Sequence, residues 1–123
     1  MKEDKKRGIG LSFAWNGIVQ VIKRERNMRI HCVVALFTVL FGFIFQISRL
    51  EWITITIVIV LVFALEMMNS VCEQIIDYVK PEISMEAKII KDMAAGAVLV
   101  AAIGSIIIGS LIFIPKMFAF FGI

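Results

Sequence analysis

The sequence predicts an all-α integral membrane protein with three transmembrane helices and an N-terminal amphipathic helix at the membrane interface. Of its 123 residues, 60% are hydrophobic and only 19% are charged, and the mean hydropathy is +0.93. A soluble chain of this length cannot bury so much apolar surface. Three apolar runs of spanning length and their short connections fill the chain, which predicts a single membrane-embedded domain over residues 1–123.

The interfacial helix is expected at about residues 9–26, where apolar side chains are mixed with Asn16 and Gln20 between basic flanks. Trp15 is expected at headgroup depth. The alternative is an ordered leader that only carries topological charges. Eight of the 13 basic residues precede the first long apolar run, namely Lys2, Lys5, Lys6, Arg7, Lys23, Arg24, Arg26 and Arg29. This asymmetry predicts a multi-pass protein of the cytoplasmic membrane with its amino end inside the cell.

The three membrane spans are expected at about residues 30–47, 52–79 and 86–113. The first begins too far along the chain for a signal peptide, so none is expected. The turn from Ser48 to Glu51 carries one basic residue and is the natural outer hairpin. The second helix is expected to continue to Val79, because Pro81 forbids its extension. Closely spaced alanines and glycines over residues 94–104 allow close helix packing, so the third span is expected to lie centrally.

Four polar residues interrupt the second span: Glu66, Asn69, Glu73 and Asp77. At about 100° per residue, their spacing places all four on one narrow helix face. An ionisable group at membrane depth costs several kcal/mol unless it is paired or faces a polar cavity, so this stripe indicates a functional site. The alternative is a solvated surface stripe, which suits Asp77 near the water better than Glu66, which follows six apolar residues.

Two further charged clusters are expected on the same cytoplasmic side, around Glu25 and at the pair Lys91 and Asp92. Carboxylates such as Glu25 and Glu73 are hard oxygen ligands that suit Mg²⁺, which usually takes one or two protein carboxylates and completes its shell with water and phosphate oxygens. A lysine beside them suits a polyphosphate. Together the three clusters predict phosphate chemistry around a buried acidic stripe.

Other classes of site find no support in the sequence. There is no G-x-x-x-x-G-K-[ST] or G-x-G-x-x-G motif, so ordinary kinase folds are excluded. The net charge is +3 without a clustered basic face, which predicts no nucleic-acid partner. Cys32 and Cys72 lie in apolar runs and are interpreted as packing residues. His31 has no second histidine or cysteine partner in sequence, which favours an interfacial hydrogen bond over zinc binding.

Three stretches of the sequence resemble motifs of a known family. Residues Ala64 to Asp77 look like the E-x-x-N-x-x-x-E-x-x-x-D signature of the small prokaryotic diacylglycerol kinases. Residues Ala87 to Ala97 look like its second signature, A-K-x-x-K-D-x-A-A-G-A-V. Glu25 to His31 is similar to the first-helix motif of the Gram-positive branch, which is made of undecaprenol kinases. The likeness extends from about Phe13 to Lys116.

The resemblance implies a membrane kinase, assembled as a homotrimer, that transfers the γ-phosphoryl group of ATP, with Mg²⁺, to a lipid alcohol. The family's general base falls on Glu66 and its active-site asparagine on Asn69. Its metal-binding glutamates fall on Glu25 and Glu73, which also count among the cofactor-binding residues. The other expected cofactor-binding positions are Phe13, Asp77, Glu82, Ser84, Lys91 and Asp92.

The expected lipid is undecaprenol, whose phosphorylation would supply the carrier pool for cell-wall synthesis. Ala14 and His31 stand where enteric diacylglycerol kinases have a serine and a second glutamate. The expected entry side is apolar, as suits an isoprenoid, and carries Phe13, Met28, Met67 and Met68. Diacylglycerol, giving phosphatidic acid, is the alternative. A small proton-coupled transporter is a rival from another class, although the polar residues gather at one membrane face rather than at the midplane.

Overall fold

A computed structural model describes residues 10–123, which form four α-helices joined by short connections. In chain order they are α1 (Gly10–Arg24), α2 (Arg26–Ile44), α3 (Arg49–Val79) and α4 (Met85–Phe121). Each of α2, α3 and α4 is long and apolar enough to cross a membrane. The predicted all-α, multi-pass fold with an additional N-terminal helix is therefore confirmed. The predicted first residue of α1, at position 9, and the basic residues Lys2, Lys5, Lys6 and Arg7 lie outside the described residues.

The corner between α1 and α2 is fixed by a side chain from the second helix. Glu25 separates the helices with extended backbone angles, φ −103° and ψ 115°. The guanidinium of Arg29 donates to the carbonyls of Ile22 and Lys23, at 3.0 and 2.8 Å. These carbonyls belong to the last turn of α1, where no following helical turn supplies backbone N–H donors to them. The first span therefore begins at Arg26, four residues before its predicted start at residue 30.

A capping box starts α3 at the opposite end of the bundle. The Ser48 hydroxyl accepts from the backbone N–H of Glu51 at 3.2 Å, and the Glu51 carboxylate accepts from the N–H of Ser48 at 2.8 Å. This reciprocal bonding begins the helix at Arg49, three residues before the predicted start at residue 52. Just before it, Gln46 has a positive φ of 52°, and α2 ends at Ile44 rather than at residue 47.

The hairpin between α2 and α3 depends on a glycine. The Trp52 indole packs on Phe43, with ring centroids 4.8 Å apart, and lies against Gly42. A Cβ added at Gly42 would lie 2.6 Å from the nearest indole carbon. Close by, a small core forms from Ile47, Ile55 and Ile112.

We expect Gly42→Ala to lower the free energy of unfolding by about 1–3 kcal/mol, because an added methyl group must push the packed Trp52 ring aside. Gly17→Ala is the matched control, since a Cβ there meets nothing within 4 Å. That control should be neutral or slightly stabilising, because alanine favours helix over glycine. Unfolding of both variants in the same detergent provides the check, and equal stability would contradict the contact.

The central helix is α3, which packs against α1, α2 and α4, whereas α4 packs only against α3 among the described helices. The expectation that the third span lies centrally is therefore wrong for a single chain. The small residues of α4 do allow close approach, but a Cβ added at Gly96, Gly104 or Gly109 meets nothing within 4 Å. Close-packing residues thus face open space within one chain, where lipid or another copy can cover them.

Both helix ends next to residues 80–84 follow from local chemistry. α3 ends at Val79, two residues before Pro81, as the sequence predicted. α4 begins after Ser84, whose hydroxyl accepts from the N–H of Ala87 at 3.2 Å.

At its other end α4 continues to Phe121, beyond the expected end at residue 113. Pro115 lies inside this helix without ending it, and one residue later the Lys116 ammonium lies 3.3 Å from the Glu51 carboxylate on α3.

We call the two ends of the bundle the corner end and the hairpin end. The corner end contains the α1–α2 corner at Glu25 and the connection over residues 80–84. The hairpin end contains the α2–α3 turn at Ser48. Val21 and Met28, on either side of the corner, are buried at 7% and 2% exposure, so the corner is packed rather than loosely attached.

Candidate active site

The central side chain of the candidate site is Glu66. It is an ionisable residue in a membrane-spanning helix, and it is only 2% exposed. Its Oε2 atom is 3.5 Å from Nε2 of His31 on α2. Its Oε1 atom is buried and has no hydrogen-bond partner among residues 10–123. A buried polar oxygen without a partner is costly, so Oε1 indicates a place where a ligand completes the site.

Two more buried polar groups lie one turn further along α3. Asn69 is 7% exposed and Ser70 is 2% exposed. In the part of the chain that the structure describes, the Asn69 Oδ1 and Ser70 Oγ atoms also find no hydrogen-bond partner. Sequence analysis identified Asn69 but missed Ser70, because a helical serine commonly bonds to its own backbone. Its position four residues after Glu66 was the available signal.

Glu66 and Asn69 open into a cavity of about 250 Å³ between α2, α3 and α4. Two residues of α2 line this cavity, Asn27 and His31, which are four residues apart and therefore share a helix face. The remaining lining residues are apolar: Ile30, Ala95, Val98, Leu99 and Ala102. The cavity thus has polar walls from α2 and α3 and an apolar wall from α4. Sequence analysis missed Asn27, although its spacing from His31 was visible.

A second, larger cavity of about 590 Å³ continues from the first toward the hairpin end, as far as Phe113 and Ile114. The two cavities share three residues: Ile30, His31 and Ala102. Most of its lining is aliphatic. The hydroxyls of Thr38 and Ser105 donate to carbonyls of their own helices, at 2.8 and 2.7 Å, so their protons face the backbone. We call this second cavity the apolar groove.

Charged side chains from three parts of the chain meet at the corner end. The Lys91 ammonium on α4 lies 2.5 Å from the Asp77 carboxylate on α3. Glu73 is half-buried and within electrostatic range of Glu25, Lys91, Glu66 and Asp77. Next to them, Arg24 donates to the Gln74 side chain at 3.1 Å and holds α1 against α3. Each of the three clusters expected on one side of the membrane therefore contributes to one group of neighbours: Glu25 from the first, Glu73 and Asp77 from the second, and Lys91 from the third.

Four of the expected cofactor positions lie outside this group of neighbours. Asp92 pairs at 2.5 Å with Lys88, one turn earlier on α4, and both are exposed. Glu82 is exposed in the connection between α3 and α4. Ser84 caps α4. Phe13 is 44% exposed on α1. Their assignment to the cofactor stays a prediction.

The pair Glu25 and Glu73 has the chemistry of a magnesium site. Among residues 10–123, no group of three or more His, Cys, Asp and Glu side chains is arranged to hold a metal. Mg²⁺ needs fewer protein ligands than that, because water and phosphate oxygens complete its shell. Glu25 occupies an N-cap position, yet its carboxylate makes no capping hydrogen bond. Glu25 lies within electrostatic range of Glu73, and two carboxylates that repel each other are stabilised by a cation, so this donor set fits Mg²⁺.

Comparison with known proteins identifies the family. Residues 12–113 match the prokaryotic diacylglycerol kinases. The chain is similar to an undecaprenol kinase of Bacillus subtilis, with 39% identity over 104 residues that cover 85% of each protein. It is also similar to a diacylglycerol kinase of Synechocystis sp., with 30% identity over 110 residues, which are 89% of this chain and 63% of that protein. As its two sequence signatures predicted, the chain belongs to the prokaryotic diacylglycerol kinase family.

Proposed function

We propose that the protein transfers the γ-phosphoryl group of ATP to undecaprenol and so supplies undecaprenyl phosphate to the cell-wall carrier pool. The family is one of lipid kinases, so ATP is the phosphoryl donor and a membrane lipid the acceptor. The observation that carries the proposal is the buried Glu66 carboxylate, whose unpartnered oxygen belongs to a cavity that adjoins a long apolar groove. Undecaprenol is favoured by the higher identity to the Bacillus subtilis enzyme.

The chemical step needs a proton acceptor beside the alcohol. A primary alcohol is almost wholly protonated at pH 7, so Glu66 accepts the hydroxyl proton on its free Oε1 as the hydroxyl oxygen attacks the γ-phosphorus. A new P–O bond forms to the lipid, and the bond between the β- and γ-phosphates breaks. The leaving ADP takes the electron pair of that bond. Asn69, which faces the same cavity, is placed to orient the reacting groups through its amide.

The phosphate chain is proposed to lie at the corner end. Glu73 is about 10 Å from Glu66 along α3 at 1.5 Å per residue, which leaves room for phosphates between them. Lys91 offsets phosphate charge there. Glu25 and Glu73 would hold Mg²⁺, which neutralises charge on the transferring group. The remaining proposed contacts with the nucleotide are those of Asp77, Asp92, Glu82, Ser84 and Phe13.

The apolar groove supports a polyprenol rather than a diacylglycerol. Diacylglycerol carries two ester carbonyls that need hydrogen-bond donors or water, whereas a polyprenol beyond its hydroxyl is only hydrocarbon. The hydroxyls of Thr38 and Ser105 in the groove already donate to backbone carbonyls. An ester next to either of them would lose its hydration without gaining a donor. Within residues 10–123, Ser110 is the one further hydroxyl that lines the groove, so two ester carbonyls would find few donors there.

We therefore expect kcat/KM for undecaprenol to exceed that for diacylglycerol by at least about tenfold, as unpaired polar groups disfavour a ligand in an apolar site. The measurement is a pair of assays in the same mixed micelles, with each alcohol at equal mole fraction. Glu66→Gln is the control, since it should lose activity on both lipids. A kcat/KM for diacylglycerol equal to or above that for undecaprenol would overturn the assignment and favour the second candidate, a diacylglycerol kinase.

Orientation and assembly complete the proposal. The basic residues around the α1–α2 corner favour an amino end on the cytoplasmic side, where ATP is available. A homotrimer is proposed from the family resemblance, and the open glycines along α4 support contact with another copy. A proton-coupled transporter needs an acid reachable from both sides of the membrane. The cluster of charges at one end and the membership in a kinase family favour the kinase instead.

A further inference from the structure

We infer that His31 is a positioning residue for Glu66: its imidazole holds Oε2, so that Oε1 is the oxygen presented to the lipid hydroxyl. The inference rests on the proposed role of Glu66 as proton acceptor. It assigns different roles to the two carboxylate oxygens, which no pattern in the amino-acid sequence distinguishes. His31 and Glu66 are on different membrane helices and 35 positions apart in the chain.

The geometry distinguishes the two oxygens of the carboxylate. Oε2 lies 3.5 Å from His31 Nε2, whereas Oε1 has no partner among the described residues. The contact is a little long for a hydrogen bond, as catalytic contacts often are before the substrate is bound. A carboxylate free at both oxygens would rotate about its last bond, and either oxygen would face the cavity. A donor at one oxygen removes that freedom.

Within residues 10–123, no charged side chain other than Glu66 lines the two cavities that His31 faces. The α4 side of the 250 Å³ cavity contributes Ala95, Val98, Leu99 and Ala102, and none of these can ionise. On α2 the neighbouring lining residues are Asn27 and Ile30, and α3 adds Asn69. The apolar groove, which His31 also lines, contains no charged residue. Glu66 is therefore the one charged side chain that lines either cavity within residues 10–123.

His31 also occupies the boundary between the two cavities, because it is one of the three residues that line both. A lipid whose tail lies in the apolar groove brings its hydroxyl past the imidazole before that hydroxyl reaches Glu66. The side chain of His31 is 21% exposed, against 2% for Glu66, so it is the more accessible member of the pair. A change at His31 should therefore affect the lipid reaction and leave the ATP end undisturbed.

The test is a matched pair of substitutions, His31→Gln and His31→Asn. The glutamine amide nitrogen reaches about as far as Nε2 of histidine and donates a hydrogen bond, whereas the asparagine amide is one bond shorter and fails to reach Glu66. We expect His31→Asn to lower kcat by about 10- to 100-fold, with the KM for ATP unchanged within about twofold. His31→Gln should lose less than about fivefold. Thermal unfolding of both variants in detergent identifies any loss of kcat that follows from misfolding.

A double-mutant cycle with Glu66→Gln tests whether His31 acts through Glu66. In the Glu66→Gln background, His31→Asn should lower the residual rate less than about threefold, because residues that act as a unit are not additive. Equal kcat values for folded His31→Asn and wild type, or a full additional loss in the double variant, would overturn the role of His31. Full activity of Glu66→Gln alone would overturn the role of Glu66 as proton acceptor, and a wild-type protein that phosphorylates no lipid would overturn the proposed function, so these failures are distinguishable from a failure at His31.

Discussion

We expect Glu66→Gln to lower kcat for lipid phosphorylation by about 10²- to 10⁴-fold, the usual contribution of general-base catalysis. Glutamine keeps the volume of Glu66 and its ability to hydrogen bond, but it cannot accept the hydroxyl proton. Because Glu66 lies about 10 Å along α3 from Glu73, at 1.5 Å per residue, ATP binding at the corner end should be retained. The measurements are the steady-state rate with a lipid alcohol and the affinity for ATP, both in the same detergent.

Glu51→Gln is the matched control for this substitution. Glu51 is another glutamate of α3, but it lies at the hairpin end, where it caps the helix and pairs with Lys116. Glutamine can fill the same place in a capping box, so the fold should be kept and the rate should stay within about twofold of wild type. Residual turnover of Glu66→Gln within tenfold of wild type would count against Glu66 as the base.

Glu25→Ala and Glu73→Ala should each raise the Mg²⁺ concentration needed for half-maximal activity by about 10- to 100-fold, the range seen when groups that support a metal are lost. The double variant should be hardly worse than either single variant, because two ligands of one ion act as a unit. The measurement is a Mg²⁺ titration of the initial rate at fixed ATP.

Glu86→Ala serves as the control for the metal prediction, because Glu86 is exposed in the first turn of α4 and takes no part in the proposed site. Its Mg²⁺ requirement should match that of wild type. Strictly additive losses at Glu25 and Glu73 would indicate two separate roles, and an unchanged Mg²⁺ requirement in both single variants would remove them from the metal site.

The polar stripe of α3 could be predicted from the sequence, because helical periodicity alone decides which residues share a face. The structure also agrees with the predicted order of burial along it: Glu66 is buried, Glu73 is half-buried and Asp77 is exposed. The start of α3 was predicted three residues too late, at residue 52, although Ser48 and Glu51 have the spacing of a capping box. Local hydrogen bonds determine that helix end, and local patterns are what a sequence displays directly.

Contacts between helices were not readable in the same way. Small residues on α4 indicate close packing but do not specify which helix packs there. The sequence alone is therefore consistent both with a central helix within one chain and with a surface helix that another copy covers. The contact between His31 and Glu66 depends on how α2 crosses α3, and no spacing along the chain encodes that crossing. The position of Asn27 in the cavity could not be predicted for the same reason, because the residues that line the cavity with it include Glu66 and Ala95 from other helices.

We propose that Glu66 activates a lipid alcohol for phosphoryl transfer from ATP. The most direct measurement is the incubation of purified protein in detergent with γ-radiolabelled ATP, Mg²⁺ and undecaprenol, followed by separation of the organic and aqueous phases. We expect label in the organic phase as lipid phosphate, one equivalent for each ADP formed, and its loss in Glu66→Gln. Label that stays in the aqueous phase as ATP or inorganic phosphate, with the lipid unlabelled, would contradict it.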